Sequence, residues 1–133
     1  MLSNITYHRA TQSDIHTLVD YRILFALELS GNQDEDLVQF LRKQMTSYFT
    51  NATADHSCIS FIAQCDGKVA GIGSGHFRQM PGNFKNPSGK WGYIMNMYTI
   101  PEFRRKGICK NILRILLEEG KKELSNLTDK QKD

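Results

Sequence analysis

Arg104-Arg105-Lys106-Gly107-Ile108-Cys109 follows an apolar run, Tyr93 to Ile100, and opens an amphipathic stretch. Three cations and a glycine at the start of a helix are suited to holding a phosphate group. The first N–H groups of a helix have no intrahelical partner, and the macrodipole is positive there. The glycine lets a ligand come close to the main chain. One exposed charge at a helix end contributes only about 0.3–1 kcal/mol, so the cradle needs several contacts at once. Cys109 invites a reading as nucleophile beside Lys and Arg. No histidine is placed by sequence to support covalent chemistry, however, so a structural or ligand-contact role is expected. His8, His16, His56 and His76 are scattered and read as surface or core positions.

The elements that must position this turn follow from pattern. Ile5 to Arg9 reads as a strand, and Thr11-Gln12-Ser13-Asp14 as a capping box with Asp in place of Glu. Ile15, Leu18, Val19, Ile23, Ala26 and Leu27 recur at helical spacing, predicting a helix over Asp14–Leu29. Ser30-Gly31-Asn32 breaks it. A second helix follows, opened by Asp34, Glu35 and Asp36, with Leu37, Phe40, Leu41, Met45, Tyr48 and Phe49 on one face. Cys58–Gln64 and Lys68–Phe77 read as strands joined by the Asp66-Gly67 hairpin turn. Gly71, Gly73 and Gly75 alternate along the second of these and leave one sheet face bare, for a close-packed helix or a close ligand. The loop from Pro81 to Gly89 is long for a hairpin, and such loops often line sites. A strand from about Lys90 to Ile100 precedes a helix from about Gly107 to Leu127. Ile108, Ile112, Ile115, Leu116 and Leu117 are its expected buried face, with Glu118 and Lys122 paired outside. Thr128 to Asp133 reads as a frayed end. The order is β-α-α-β-β-β-α, an α/β fold with a mainly antiparallel central sheet flanked by helices.

Composition bounds the rest. The 133 residues are 40% hydrophobic and 23% charged, as expected for one soluble domain, residues 1–133. No apolar run approaches the ~20 residues that span a bilayer, and the start lacks a secretion signal, so no membrane partner is expected. Cys58, Cys65 and Cys109 have no metal-ligand spacing and read as free thiols in a reducing cytoplasm, with no metal. A net charge of +3 is too mild to imply nucleic acid.

Three phosphate-binding signatures compete. A Walker loop needs Gly-Lys followed by Ser or Thr, whereas here Lys106-Gly107 precedes Ile108. A dinucleotide fingerprint needs three glycines near a first strand. The third fits. The segment Tyr93-Ile-Met-Asn-Met-Tyr-Thr-Ile-Pro-Glu-Phe-Arg-Arg-Lys-Gly-Ile-Cys109 resembles the acetyl-CoA-binding motif of the GNAT superfamily of N-acetyltransferases. That motif is a hydrophobic strand, a Pro-Glu-aromatic turn, then Gln/Arg-x-x-Gly-x-Gly/Ala. Arg104 and Gly107 match its first two fixed positions. Cys109 departs at the third, where its small size narrows the cradle. The element order matches the family across essentially the whole chain.

The resemblance implies roles residue by residue. Main-chain N–H groups from Arg105 through Lys110, thus including Lys106, Gly107, Ile108 and Cys109, would hold the pyrophosphate. Arg104, Arg105 and Lys110 would add charge. The strand before the motif would bulge, and pantetheine would pair with Met97, Tyr98 and Thr99 like an added strand. The family normally continues with a strand, a helix and a final strand, which line the acceptor side and often bring a tyrosine acid. This sequence lacks that continuation, so the catalytic groups stay open, with Glu28, Tyr93 and Tyr98 as candidates. A motif strand left bare would be an exposed sheet edge, and a homodimer is expected to cover it. The implied function is transfer of an acetyl group from acetyl-CoA, as co-substrate, to an amine of a small molecule or protein. The alternative is a non-catalytic relative that binds CoA or acetyl-CoA.

Overall fold

Asp66 and Gly67 both adopt positive φ, 51° and 82°, the geometry that lets a two-residue turn follow the strand twist. The turn joins β2 (Cys58–Cys65) to β3 (Lys68–Gln79). With β1 (Ile5–Arg9) and β4 (Lys90–Thr99) they form one antiparallel sheet in the order β1-β2-β3-β4. The structure is a computed structural model that describes residues 4–132, with side chains through residue 125. The element order and sheet type are those read from the sequence. Two helices, α1 (Ile15–Ser30) and α2 (Glu35–Ala54), cover one sheet face, and α3 (Ile108–Lys132) covers the other.

Each helix begins as its sequence dictates. The Thr11 N–H donates to Asp14 Oδ2 at 2.9 Å, closing the capping-box contact before α1. Asp34 caps α2, accepting from the Leu37 N–H at 3.4 Å. Gly31, at φ 77°, ends α1 and donates its N–H to the Leu27 carbonyl at 2.7 Å.

Four details correct the sequence reading. Leu37 and Phe40 are exposed, because the inner stripe of α2 is Val38, Leu41, Met45, Phe49 and Ala52. The two residues sit about 100° off that stripe. On α3 the stripe Ile108, Ile112, Leu116 and Gly120 advances by four, which rotates Leu117 outward. Lys122 bonds Glu119 at 3.3 Å rather than Glu118. Finally, α3 continues to Lys132, past the frayed end expected at Thr128. Asp133 lies outside the described residues.

The glycine face of β3 is used for packing. A Cβ on Gly73 would lie 2.4 Å from Ile112 and one on Gly71 3.2 Å from Ile108, so α3 rests directly on this bare backbone. The Phe77 ring is walled by Gly75, Gly92 and Gly120. Glycine inside a helix normally costs about 1 kcal/mol relative to alanine. At position 120 that preference reverses, because the added Cβ would meet Phe77 Cε1 at 2.3 Å. Gly120→Ala is therefore expected to lower stability by about 1–2 kcal/mol through overpacking. A urea midpoint that rises in this variant contradicts the packing account.

Candidate active site

Strand β4 carries the feature that shapes the site. Met95 pairs with Ser74 and Tyr98 pairs with Ile72, so Asn96 and Met97 together oppose Gly73. The bulge is held by Asn96 in the left-handed region, φ 58°. It resets the alternation. Ile94 and Met97 both pack on the α3 side, while Met95 and Tyr98 both pack on the α1–α2 side. Asn96 is 4% exposed, and neither its Nδ2 nor its Oδ1 has a hydrogen-bond partner among the described residues. The buried Thr99 Oγ1 is also unpartnered. Each such group costs about 1–3 kcal/mol unless something satisfies it.

Beyond β4, Pro101–Phe103 form a single 3-10 turn, which leads into α3. Arg105 (φ 66°) and Gly107 (φ 81°) both adopt left-handed backbone after an extended Arg104, and such irregular turns can point successive N–H groups into a main-chain anion concavity. The first bond of α3 runs from the Asn111 N–H to the Gly107 carbonyl at 3.0 Å. The N–H groups ahead of it have no helical partner. A Cβ on Gly107 would meet nothing within 4 Å, so the cradle is open above it.

This turn borders a groove of about 460 Å³. Met97, Tyr98 and Thr99 form its strand wall, and Arg104, Arg105 and Gly107 its turn. Ile108, Cys109 and Lys110 form its helix wall. All the expected cofactor-contact residues except Lys106 therefore line one concavity. Phe25 and Phe103, which sequence reasoning missed, complete it. Phe25 stacks on Tyr98 with ring centres 5.6 Å apart. Glu28 also lines the groove, and both of its carboxylate oxygens accept from Arg104 Nη2, at 2.9 and 2.8 Å. Arg104 Nε donates to the Thr99 carbonyl at 2.9 Å, and its guanidinium lies 5.6 Å from the Tyr98 ring centre. Arg104 is thus committed to the chain, whereas Arg105, Lys106 and Lys110 have no carboxylate partner among the described residues.

A second cavity of about 470 Å³ lies along the same sheet face, before the bulge. Register builds its floor: Arg78 pairs with Trp91, His76 with Tyr93, and Ser74 with Met95. Arg22 of α1 and Tyr48 of α2 stand over it. Tyr48 Oη is 3.1 Å from His76 Nδ1. Burial, then the neighbouring Cys58, pushes the Tyr48 hydroxyl up to about 12. Burial, then the Arg78 charge, holds His76 below the usual imidazole range, against an opposing pull from Asp55. At neutral pH the pair is a protonated phenol beside an uncharged imidazole.

The three catalytic candidates are separated by this geometry. Glu28 and Tyr98 belong to the first groove and Tyr93 to the second. His76, read from the sequence as a surface or core position, sits in a cavity with a hydrogen-bonded partner. The period-two alternation of β3 and β4 was the available signal, since it places His76, Arg78, Trp91 and Tyr93 on one face. The Pro81–Gly89 loop lines neither cavity; Gly82, Asn83, Phe84 and Pro87 line a separate shallow concavity. Cys58, Cys65 and Cys109 are free thiols. Among the described residues, no group of three His, Cys, Asp or Glu is placed to hold a metal, and no helix is long and apolar enough to cross a membrane.

A sequence profile described as the Acetyltransferase (GNAT) family matches residues 24–131. The chain belongs to the GNAT acetyltransferase family. Among solved GNAT structures it is similar to a predicted acetyltransferase of Clostridium acetobutylicum, determined with acetyl-CoA. The two share 29% identity and a TM-score of 0.80 over 90% of this chain and 75% of that one. A GCN5-related N-acetyltransferase of Ralstonia eutropha is 17% identical, with a TM-score of 0.76 over 90% of this chain and 78% of the other. A PaiA N-acetyltransferase of Thermoplasma acidophilum, in complex with coenzyme A, is 16% identical. It has a TM-score of 0.62 over 90% of this chain and 74% of the other. The last two likenesses speak to the GNAT fold alone. A search of the curated proteins finds no match.

Proposed function

We propose that this GNAT protein transfers the acetyl group of acetyl-CoA to an amine. The observation that carries the reading is the groove at the start of α3. It gathers the N–H groups without a helical partner, the cations Arg105 and Lys110, which have no carboxylate partner among the described residues, and the bulged strand around one opening. Two features of the chain fit such a co-substrate: a main-chain anion cradle at Arg105–Lys110, and a buried amide at Asn96 that lacks a partner. Acetyl-CoA supplies an activated thioester, and the new nitrogen–carbon bond replaces its carbon–sulfur bond.

The chain's own residues do the rest. Amides at the α3 start hold the diphosphate and fix the register of the molecule along β4. Backbone groups of Met97 to Thr99 hold the extended arm as an added strand. In the tautomer that carries its proton on Nδ1, His76 donates to Tyr48 Oη, and Nε2 is left to take the proton that the attacking amine must lose. The outer edge of β4 has no strand partner among the described residues. We place a second copy of the chain there, a state that light scattering reads.

The test is thiol release from acetyl-CoA with a panel of amines, run beside thermal melts with coenzyme A. Turnover together with stabilisation is expected. Stabilisation without turnover leaves only a coenzyme A binder, and no stabilisation removes the reading altogether. Glu28 separates two versions of the chemistry. If the Glu28–Arg104 pair is only an exposed tie, worth about 0–1 kcal/mol, Glu28→Gln keeps turnover within a few-fold. A loss of roughly a hundredfold would mark Glu28 as the base instead.

A further inference from the structure

We infer that the second cavity selects an amine that also carries an anionic group on a flat apolar body, and that it rejects polycations. The inference rests on the acetyl-transfer reading above and extends it to the acceptor.

The charge of the cavity points one way. Its lining holds two guanidinium groups, Arg22 on α1 and Arg78 on β3, and no carboxylate. Neither arginine has a carboxylate partner among the described residues. Burial, then the Arg78 charge, favours the neutral form of His76, so it adds no charge of its own to the cavity. The carboxylate that acts on both His76 and Tyr48 is Asp55, whose Oδ1 already accepts from the Ser57 N–H at 2.8 Å. Two unpaired guanidiniums over a half-open cavity attract an anion and repel a second cation. Their planar forks suit a carboxylate or a phosphonate oxygen pair.

The floor supplies the other half. The rings of Trp91 and Tyr93 lie parallel, 5° apart in plane with centres 5.9 Å apart. Both are substantially exposed, at 39% and 54%. The Arg78 guanidinium sits 4.7 Å from the Trp91 ring centre, within cation–π range, and ties the ring to the cationic end of the cavity. Stacked on each other and partly exposed, the two rings offer an aromatic platform against which a planar apolar group can pack. With the anion at the arginines and the body on the platform, the amine of the same molecule lies within the cavity that His76 lines. An amine that loses its proton to His76 Nε2 becomes a nucleophile there, and the proton passes on to solvent.

Trp91 is the only tryptophan, so its fluorescence reports this cavity directly. The full-length chain, saturated with coenzyme A, is titrated with L-phenylalanine, its phosphonate analogue, phenethylamine and spermidine. Saturable quenching is expected from the first two, with affinity roughly tenfold above phenethylamine, the scale of one charge-assisted hydrogen bond. Spermidine should give none. Arg78→Gln and, separately, Arg22→Gln should each erode the preference for the anionic members. If phenylalanine wins over its phosphonate, the cavity takes a carboxylate; the reverse result makes it a phosphoryl site. Equal affinity for phenethylamine, binding of spermidine, or no saturable change with any probe overturns the inference. Calorimetry with coenzyme A on the same samples keeps the two claims apart. Coenzyme A binding without anionic preference sinks only the acceptor class. Anionic binding without coenzyme A association sinks the acetyl-transfer reading instead.

Discussion

Gly107→Glu is expected to weaken coenzyme A binding by roughly a hundredfold or more while the protein stays folded. Position 107 has φ 81°, and a Cβ there meets nothing within 4 Å. The folded-state cost is therefore the left-handed backbone alone, about 1–2 kcal/mol. The ligand cost is larger. A carboxylate would stand over N–H groups that otherwise receive a diphosphate, and losing two charge-assisted hydrogen bonds removes about 3 kcal/mol or more. Gly107→Ala is the control: it shares the backbone penalty without the charge, so it should lose less affinity. Calorimetric titration measures the first effect and a thermal melt the second. Unchanged affinity in the Glu variant would remove the cradle from the account.

The second large effect concerns His76. His76→Gln keeps a polar group facing Tyr48 but cannot take a proton, so kcat should fall by about a hundredfold to ten-thousandfold. Coenzyme A affinity should be unchanged, because His76 lines the other cavity. The pH dependence supplies the sign. The base must be uncharged to act. Burial and Arg78 hold its pKa below the usual imidazole value, so the acidic limb of kcat/KM should lie below about pH 6.5. Arg78→Gln removes one of the two lowering influences, and the limb should move to higher pH. A limb unmoved by Arg78→Gln, or a His76→Gln enzyme of normal kcat, would assign the proton transfer elsewhere.

The strand–turn–helix around Arg104 was legible because its signals are local. An apolar run, a Pro-Glu-Phe turn and a helical stripe follow one another without a gap, and glycine at 107 meets a backbone that needs it. The strands and the Asp66-Gly67 turn were legible for the same reason. What escaped is long-range. The inner stripe of α2 is set by the sheet it packs on, and several apolar residues left the choice of Val38 over Leu37 and Phe40 open. The resemblance implied a bulge in β4, but its seat at Asn96 is a mismatch of two strands, which neither strand announces alone. The Glu28–Arg104 pair spans 76 positions and the Tyr48–His76 contact spans 28, so neither has a sequence motif. The alternating glycines of β3 showed that something approaches closely. Only the α3 contacts show it to be a helix rather than a ligand.

The central claim is that main-chain amides at the start of α3 receive the diphosphate of coenzyme A. Backbone amide NMR of the labelled protein during a coenzyme A titration reads those amides one at a time. The account predicts the largest shifts at residues 105–110, with smaller ones along Met97 to Thr99 and little change at Arg22 or Tyr48. Unmoved amides at 105–110 while coenzyme A shifts resonances in another part of the chain would contradict it.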